Sequence, residues 1–348
     1  MSMRIWLVDA FADRPFRGNT AGVVPLRAWA PDAVLQAIAA ENRCAETAFF
    51  VTTGLKGNYQ LRWFTPTIEV PLCGHATLAA GAVLLTEIER DLDVVVFDTR
   101  SGPLVVRETA EGFTLDLPRR PRAVWTPPAA LMNAMGDVRV IDAFTGEYAT
   151  IVLSCEADVI AAKPDFAAIE ALVRAPRSGC LAITALADED RPYDFVNRFF
   201  APGAGIPEDP VTGSSLADIA PYLCDRLERE SVTGFQASAR GGLVRGLQTL
   251  SSTRLLGQVA VYLRGELDAR IARMAQAVEP SLAVAPVAPR PGAEERIVEI
   301  ADLDGGDGIS VFDLEAPDGD DAGVFIRERR IAVKDQPAND QRAQDRRS

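Results

Sequence analysis

The sequence predicts an α+β protein of two pseudo-symmetric halves, each a mostly antiparallel β-sheet or barrel wrapped around a central apolar helix. Three observations predict it. A segment recurs 139 positions along the chain: Glu69-Val-Pro-Leu-Cys-Gly-His75 is matched by Glu208-Asp-Pro-Val-Thr-Gly-Ser214, and Glu69/Glu208, Pro71/Pro210, Gly74/Gly213 and Leu84/Leu223 coincide without a gap. Just upstream, Arg62-Trp-Phe-Thr-Pro66 is echoed in the same order by Arg198-Phe-Phe-Ala-Pro202. Each copy then reads strand, turn, glycine, apolar helix, amid segments that are mostly strand-like. That order suits a sheet closed around one greasy helix better than a doubly wound sheet. A duplication of this kind places the work between two facing units.

The elements follow in chain order. Ile5–Phe11 and Ala21–Leu26 are apolar enough for strands, parted by turn chemistry in Asp13-Arg-Pro-Phe-Arg-Gly-Asn19. Pro31 opens a helix with Val34, Leu35, Ile38 and Ala39 on one face, ending near Asn42. Strands are expected at Thr47–Thr52 and Tyr59–Phe64. Residues 75–86 form a helix that is apolar nearly all round, and Val94–Phe97, Pro103–Arg107 and Gly112–Leu117 complete the first half. Four prolines in Pro118–Pro128 mark a linker.

The order then returns, with strands at Val138–Phe144 and Tyr148–Leu153 and a helix at Asp165–Val173. Strands at Cys180–Ala185 and Tyr193–Phe200 lead to the second apolar helix at 214–224. Val232–Ala237, Leu243–Leu250 and Gln258–Leu263 close the half. The expected divisions are therefore 1–128, 129–267 and a segment 268–348. That last segment begins as an Ala/Pro-rich linker over 275–293 and continues as an acidic, partly disordered tail. Within it, Ile309–Leu314 and Gly323–Ile326 could pair as a hairpin.

Composition narrows the function classes. A net charge of −13 disfavours nucleic acid and acidic membrane surfaces as partners, and obliges an anionic substrate to be held by local donors. The longest apolar run, Ala76 to Leu85, is too short to span a bilayer. Arg4 comes too early for a secretory leader. Five dispersed cysteines (44, 73, 155, 180 and 224) contain no CxxC pair and suggest a cytoplasmic protein without disulfides. A single histidine makes a zinc site improbable, and no metal is expected.

The chemistry centres on the repeated glycines. A glycine where a loop enters a helix brings free N–H groups and the helix dipole close to a ligand, favouring a carboxylate. Gly74-His75 and Gly213-Ser214 both occupy such junctions, and Ser214 adds a hydroxyl donor. His75 is the one imidazole available for catalysis. Asp209 shares a proton with it if it points into a dry cleft; otherwise it is a dipole partner of the helix. Glu46, by composition, reads as a surface carboxylate at a strand edge. Gly203-Ala-Gly-Ile-Pro207-Glu208 fails as a dinucleotide loop at its third glycine. Ser214, His75 and Asp209 form a nominal hydrolase set, but Ser214 lacks the flanking glycine of a nucleophile elbow.

Taken together, Val8-Asp-Ala-Phe11, Pro15-Phe-Arg-Gly-Asn19, Ala45-Glu-Thr-Ala-Phe49, Arg62–Pro66, Cys73-Gly-His-Ala-Thr77, Ser101-Gly-Pro-Leu104 and Glu208–Ser214 resemble the PhzF family over about residues 4–267. The resemblance implies the diaminopimelate epimerase-like fold and a cofactor-free isomerase acting on a small cyclic or amino-acid-like carboxylate, in a typically homodimeric enzyme. It implies that Glu46 is the general base, with His75 and Asp209 setting its protonation. Gly74, Gly213, Ser214 and Asn19 would hold the substrate. A two-thiol racemase is disfavoured because Cys73 is matched by Thr212. A racemase or epimerase using Glu46 and Asp209, and a non-catalytic ligand-binding protein of the same fold, are the alternatives. Thr20, where the family has proline, and Ser215-Leu216, where Ala-His is common, depart from the pattern and could reshape the pocket.

Overall fold

The computed structural model describes residues 3–136, 138–174, 178–276, 298–300, 308–315 and 325–332. The chain divides into two units, Met1–Val278 and Glu279–Ser348. In the first, β1 (Met3–Ala10), β2 (Asn19–Leu26), α1 (Asp32–Asn42), β3 (Glu46–Thr52), β4 (Asn58–Phe64) and the short β5 (Glu69–Val70) precede α2 (Gly74–Val83). The helix runs into one π-helical turn, Leu84–Ile88, before β6 (Val94–Asp98), β7 (Leu104–Thr109) and β8 (Gly112–Pro118).

After β9 (Ala123–Val124) and α3 (Ala129–Ala134) come β10 (Val140–Thr145), β11 (Ala149–Leu153), α4 (Glu156–Ala161), α5 (Phe166–Leu172), β12 (Leu181–Leu186), β13 (Phe195–Ala201) and the short β14 (Ile206–Glu208). Then follow α6 (Gly213–Leu227), β15 (Ser231–Gln236), β16 (Gly242–Gln248), β17 (Ser252–Gly257), β18 (Val259–Leu267) and α7 (Ala269–Gln276).

The pairings repeat strand for strand. β1–β2 and β10–β11 are antiparallel; β2–β3 and β11–β12 are parallel. β3–β4 and β12–β13 are antiparallel, and β4–β6 and β13–β15 are parallel. Each copy ends in an antiparallel meander, β6-β7-β8 and β15-β16-β17, and β8 pairs with β17 to join the two. The large sheet is thus mostly antiparallel, as expected, and each copy lays it around an apolar helix.

All ten residues of α2 are buried; in α6 ten of fifteen are, with Asp218 among them. Alanine and glycine dominate α2, so strands approach its axis closely: a Cβ on Gly81 would lie 2.4 Å from Val106 Cγ1. The main core wraps both helices. A second lies under α4 and α5, and a third under α1 and α7.

Three readings of the sequence are corrected. The strand at Gln258–Leu263 does not close the second copy; as β18 it crosses to pair with β1. Reciprocally, β9, inside the expected linker, pairs with β10. Each copy therefore receives its outer strand from the other. Alternation along a strand shows which face is buried and says nothing of which partner it meets. Residues 269–276, expected to belong to the tail segment, form α7, whose Ala272 and Ala275 pack with Met3, Ile5 and Leu35. The six-residue helices α3 and α4 are too short to show periodicity.

In the second unit, β19 (Val298–Ile300), β20 (Gly308–Glu315) and β21 (Phe325–Ala332) pair antiparallel in that order. The expected hairpin forms; of its second strand, expected over 323–326, residues 325–326 lie among the described residues, and the strand continues to Ala332. Most of the expected linker, and the last sixteen residues of the tail, lie outside the described residues. Among the described residues no helix is long and apolar enough to cross a membrane.

Candidate active site

Two helix starts meet at the centre of the first unit. Gly74 and Gly213 open α2 and α6, and a Cβ on Gly74 would stand 3.9 Å from Gly213 Cα. A side chain on Gly213 would crowd Leu255 Cδ1 at 3.1 Å and the Phe11 ring at 3.2 Å. Neither N-cap residue, Cys73 or Thr212, caps its helix with its side chain. Both side chains turn instead to the ionisable groups nearby, leaving the first N–H groups of two helices without that cap. Ser214 Oγ lies 3.0 Å from the Tyr148 hydroxyl.

Glu46 is the first residue of β3, set just after the left-handed Arg43 that ends α1. Its Oε2 lies 3.2 Å from His75 Nε2, but out of line for a hydrogen bond. His75 Nδ1 lies 3.3 Å from Asn19 Nδ2 and 3.5 Å from Cys73 Sγ. Asn19 Nδ2 can only donate and Cys73 Sγ is at best a weak acceptor, so Nδ1 is assigned as unprotonated and the ring proton to Nε2, facing Glu46. Asn19 Nδ2 also donates to Asp209 Oδ1 at 2.9 Å and to the Val211 carbonyl at 3.0 Å. Asp209 Oδ2 accepts from Thr212 Oγ1 at 2.5 Å. Six of the seven predicted residues (Glu46, His75, Asp209, Gly74, Gly213 and Asn19) thus converge from both copies; Ser214 follows directly on Gly213.

Sequence reasoning missed the platform beneath Asp209. The fully buried Gln236 ends β15; its Nε2 donates to the Asp209 carbonyl at 2.7 Å, and its Oε1 accepts from Thr212 N at 2.9 Å. Asn197, also fully buried, donates to the same Oε1 at 3.1 Å. A glutamine at a strand end carries no signal in the sequence; its role arises only when β13 and β15 pair. The two departures from the family pattern point away from the acid–base group. Thr20 Oγ1 donates to the buried Asp9 at 2.5 Å, and Ser215 Oγ to the Thr212 carbonyl at 3.0 Å.

Burial dominates the electrostatics. It raises the Glu46 carboxyl to about 8, with the Asp209 charge adding to the rise and the Cys73 thiol, as a donor, opposing it. Asp209 is raised to about 6 by burial, against the pull of its bonds from Thr212 and Asn19. Burial lowers His75 to about 3, so the ring is neutral at physiological pH. The Cys73 thiol is pushed well up, first by burial and then by Glu46. Three buried polar atoms, Glu46 Oε2, His75 Nε2 and Asn19 Oδ1, have no hydrogen-bond partner among the described residues. Such atoms are costly unless a ligand meets them.

Glu46, Cys73 and His75 offer one potential metal ligand each, all within 4.8 Å of one another. A thiol driven toward its neutral form is a poor preorganised ligand. The cluster suits proton handling better.

Comparison with known proteins gives the family. A profile of phenazine biosynthesis-like proteins matches residues 8–266. The chain belongs to the PhzF family. It is 42% identical to an uncharacterized isomerase of Pseudomonas aeruginosa, over 77% of this chain and 99% of that protein. A second uncharacterized isomerase of the same organism is also 42% identical, over 70% and 89% of the respective chains. Among solved structures, a PhzF family protein of Enterococcus faecalis superposes with a TM-score of 0.71 at 37% identity, covering 77% of this chain and 99% of that one. The family match ends at residue 266, so α7 and all that follows lie beyond it.

Proposed function

We propose that the protein is a cofactor-independent isomerase that moves a proton between two carbons of a small carboxylate, with Glu46 as the carrier. The observation that carries this reading is a carboxyl raised to about 8, in touch with a neutral imidazole, beside two uncapped helix starts. The helix starts and Ser214 bind the substrate carboxylate, which acidifies the neighbouring C–H and aims it at Glu46. The Glu46 carboxylate takes the proton from one carbon and its acid form returns it to another, while the electron pair shifts within the substrate. A carrier near 8 accepts and releases a proton at similar cost around neutrality, which one near 4.5 does not. His75 Nε2–H steadies the ionised form. Relatives bearing the name isomerase at 42% identity support the reaction class.

Asp209 has both oxygens committed to donors, Asn19 and Thr212. That favours a fixed negative charge tuning Glu46 over a second, opposed base, and so disfavours the racemase alternative. The test is incubation of candidate carboxylates in deuterated water with wild type and Glu46→Gln. Label entering at a new carbon with unchanged configuration, and only with wild type, supports the proposal. Inversion at the labelled carbon supports a racemase. A bound carboxylate with no Glu46-dependent exchange overturns catalysis altogether.

A further inference from the structure

We propose that the cleft running from Ser214 along α6 to Arg119–Arg122 is a second subsite, which holds an anionic group at the far end of the substrate. The inference rests on the proposed function only for its near end, the carboxylate at the helix starts. A cleft of about 200 Å³ is lined by Arg119, Arg120, Arg122, Ala217, Asp218 and Pro221. A narrower one beside it, of about 20 Å³, shares Arg120, Ala217 and Asp218, reaches Ser214, Leu72 and Leu117, and is also lined by Glu147, the ion-pair partner of Arg120. The two therefore run from Ser214, the residue after Gly213, to the arginines. Asp218 and Pro221 lie one and two turns along α6 from Ser214, so the path is about 10 Å long at about 1.5 Å per residue.

Charge decides what the far end takes. The chain carries a net charge of −13, yet three arginines fall within four residues here. Arg122 is engaged, with its Nη2 on Asp225 at 2.5 Å and its guanidinium 5.7 Å from the Tyr222 ring centre. Arg120 gives only its Nε to Glu147, at 3.2 Å, and among the described residues its two Nη groups make no hydrogen bond. Those planar donors fit a carboxylate or phosphoryl oxygen pair.

Asp218 does not cancel this charge. It is 3% exposed, accepts the Tyr148 N–H at 3.1 Å and stands against Gly146, where any Cβ would meet its carboxyl at 2.6 Å. Burial raises it to about 7, which lessens its charge at neutrality. Leu72, Leu117 and Ala217 between the polar ends call for an apolar middle. The substrate class is thus a short carboxylate with an apolar body and a second anionic terminus.

The test uses the full chain and calorimetric titration with dicarboxylates from glutarate to suberate, each against the monocarboxylate of equal length. A matched phosphonocarboxylate series separates phosphoryl from carboxyl recognition. The expected result is an optimum length at which the second anionic group tightens binding about tenfold, the scale of one charge-assisted contact. Arg120→Gln abolishes that gain and leaves monocarboxylate binding unchanged; Glu147 is only 17% exposed, and the glutamine amide keeps a donor for its carboxylate. Glu46→Gln keeps the gain while losing proton exchange, so the two proposals fail separately. Equal affinities for both series, a gain that survives Arg120→Gln, or no binding of any dianion would overturn the subsite.

Discussion

The two copies of the repeat share a scaffold and divide the chemistry. In each, an arginine on one strand clamps a glutamate on the short strand beside it: Arg62 meets Glu69 through Nε and Nη2 at 2.8 Å each, and Arg198 meets Glu208 at 2.8 and 2.9 Å. Each arginine also lies over a phenylalanine two residues on, at 5.1 and 4.9 Å. The clamps hold the hairpins that lead into α2 and α6.

The reactive positions diverge. Glu46 precedes Thr47, which faces Phe64; the matching residue before Leu181, which faces Phe200, is Cys180, buried in the apolar core. His75 corresponds to Ser214, and Val70 to Asp209. Glu46 and the imidazole come from one copy, and the Asp209 carboxylate from the other. Symmetry positions the groups, and its breaking leaves one such glutamate, as the proposed single carrier requires.

Packing diverges in the same compensated way. Gly81 on α2 lies under Val106 of β7; at the equivalent crossing Ala220 of α6 lies under Gly246 of β16, where a Cβ would meet Ala220 Cβ at 2.4 Å. One copy keeps the glycine on its helix, the other on its strand. Either way one missing side chain lets helix and strand touch.

The largest expected effect breaks the asymmetry of the reactive groups. Glu46→Gln should lower turnover by about 10²–10⁴-fold, whereas Cys180→Ala at the matched position should leave it within a few-fold, read by deuterium exchange. Gly81→Ala should cost about 1–3 kcal/mol in urea unfolding from overpacking against Val106. Adding Val106→Gly, which copies the second crossing, should recover much of that loss in a double-mutant cycle.

Removing a clamp with Arg62→Met or Arg198→Met should destabilise by about 1–3 kcal/mol in each copy, since a partly buried carboxylate loses charge-assisted donors. Only Arg198→Met should also shift the pH–rate profile, upward, because the unclamped Glu208 charge lies next to Asp209. The last comparison is of pH dependence. kcat/KM should rise with pH through about 8 as Glu46 ionises, with no histidine inflection near 6.5 because burial keeps His75 neutral. The sign for stability is opposite. The Glu46 carboxyl of the folded protein is raised from 4.5 to about 8, so the folded state binds its proton more tightly. Stability is fully present below about 4.5 and declines as pH rises to about 8. The corresponding slope should be missing from Glu46→Gln.

The glycine junctions were legible in the sequence because a glycine before an apolar run has few other meanings, and because the run occurs twice. The fully buried α2 was legible from its unbroken apolar composition. Glu46 was not: burial of a strand's first residue depends on what covers it, and only the family resemblance singled it out. Gln236 and Asn197 escaped for a related reason, since their value lies in a parallel pairing of strands 39 residues apart. The strand exchange was hidden because β18 has the same alternation whichever copy it serves.

That exchange has a consequence for how such a molecule could have arisen. A gene cut between the copies would encode two fragments with bare sheet edges, each complementary to the strand that the other had carried away. A one-copy forebear could satisfy those edges only by clasping an identical twin, tail to head in both directions. Fusion of such twins into one polypeptide would free each side to change independently of the other.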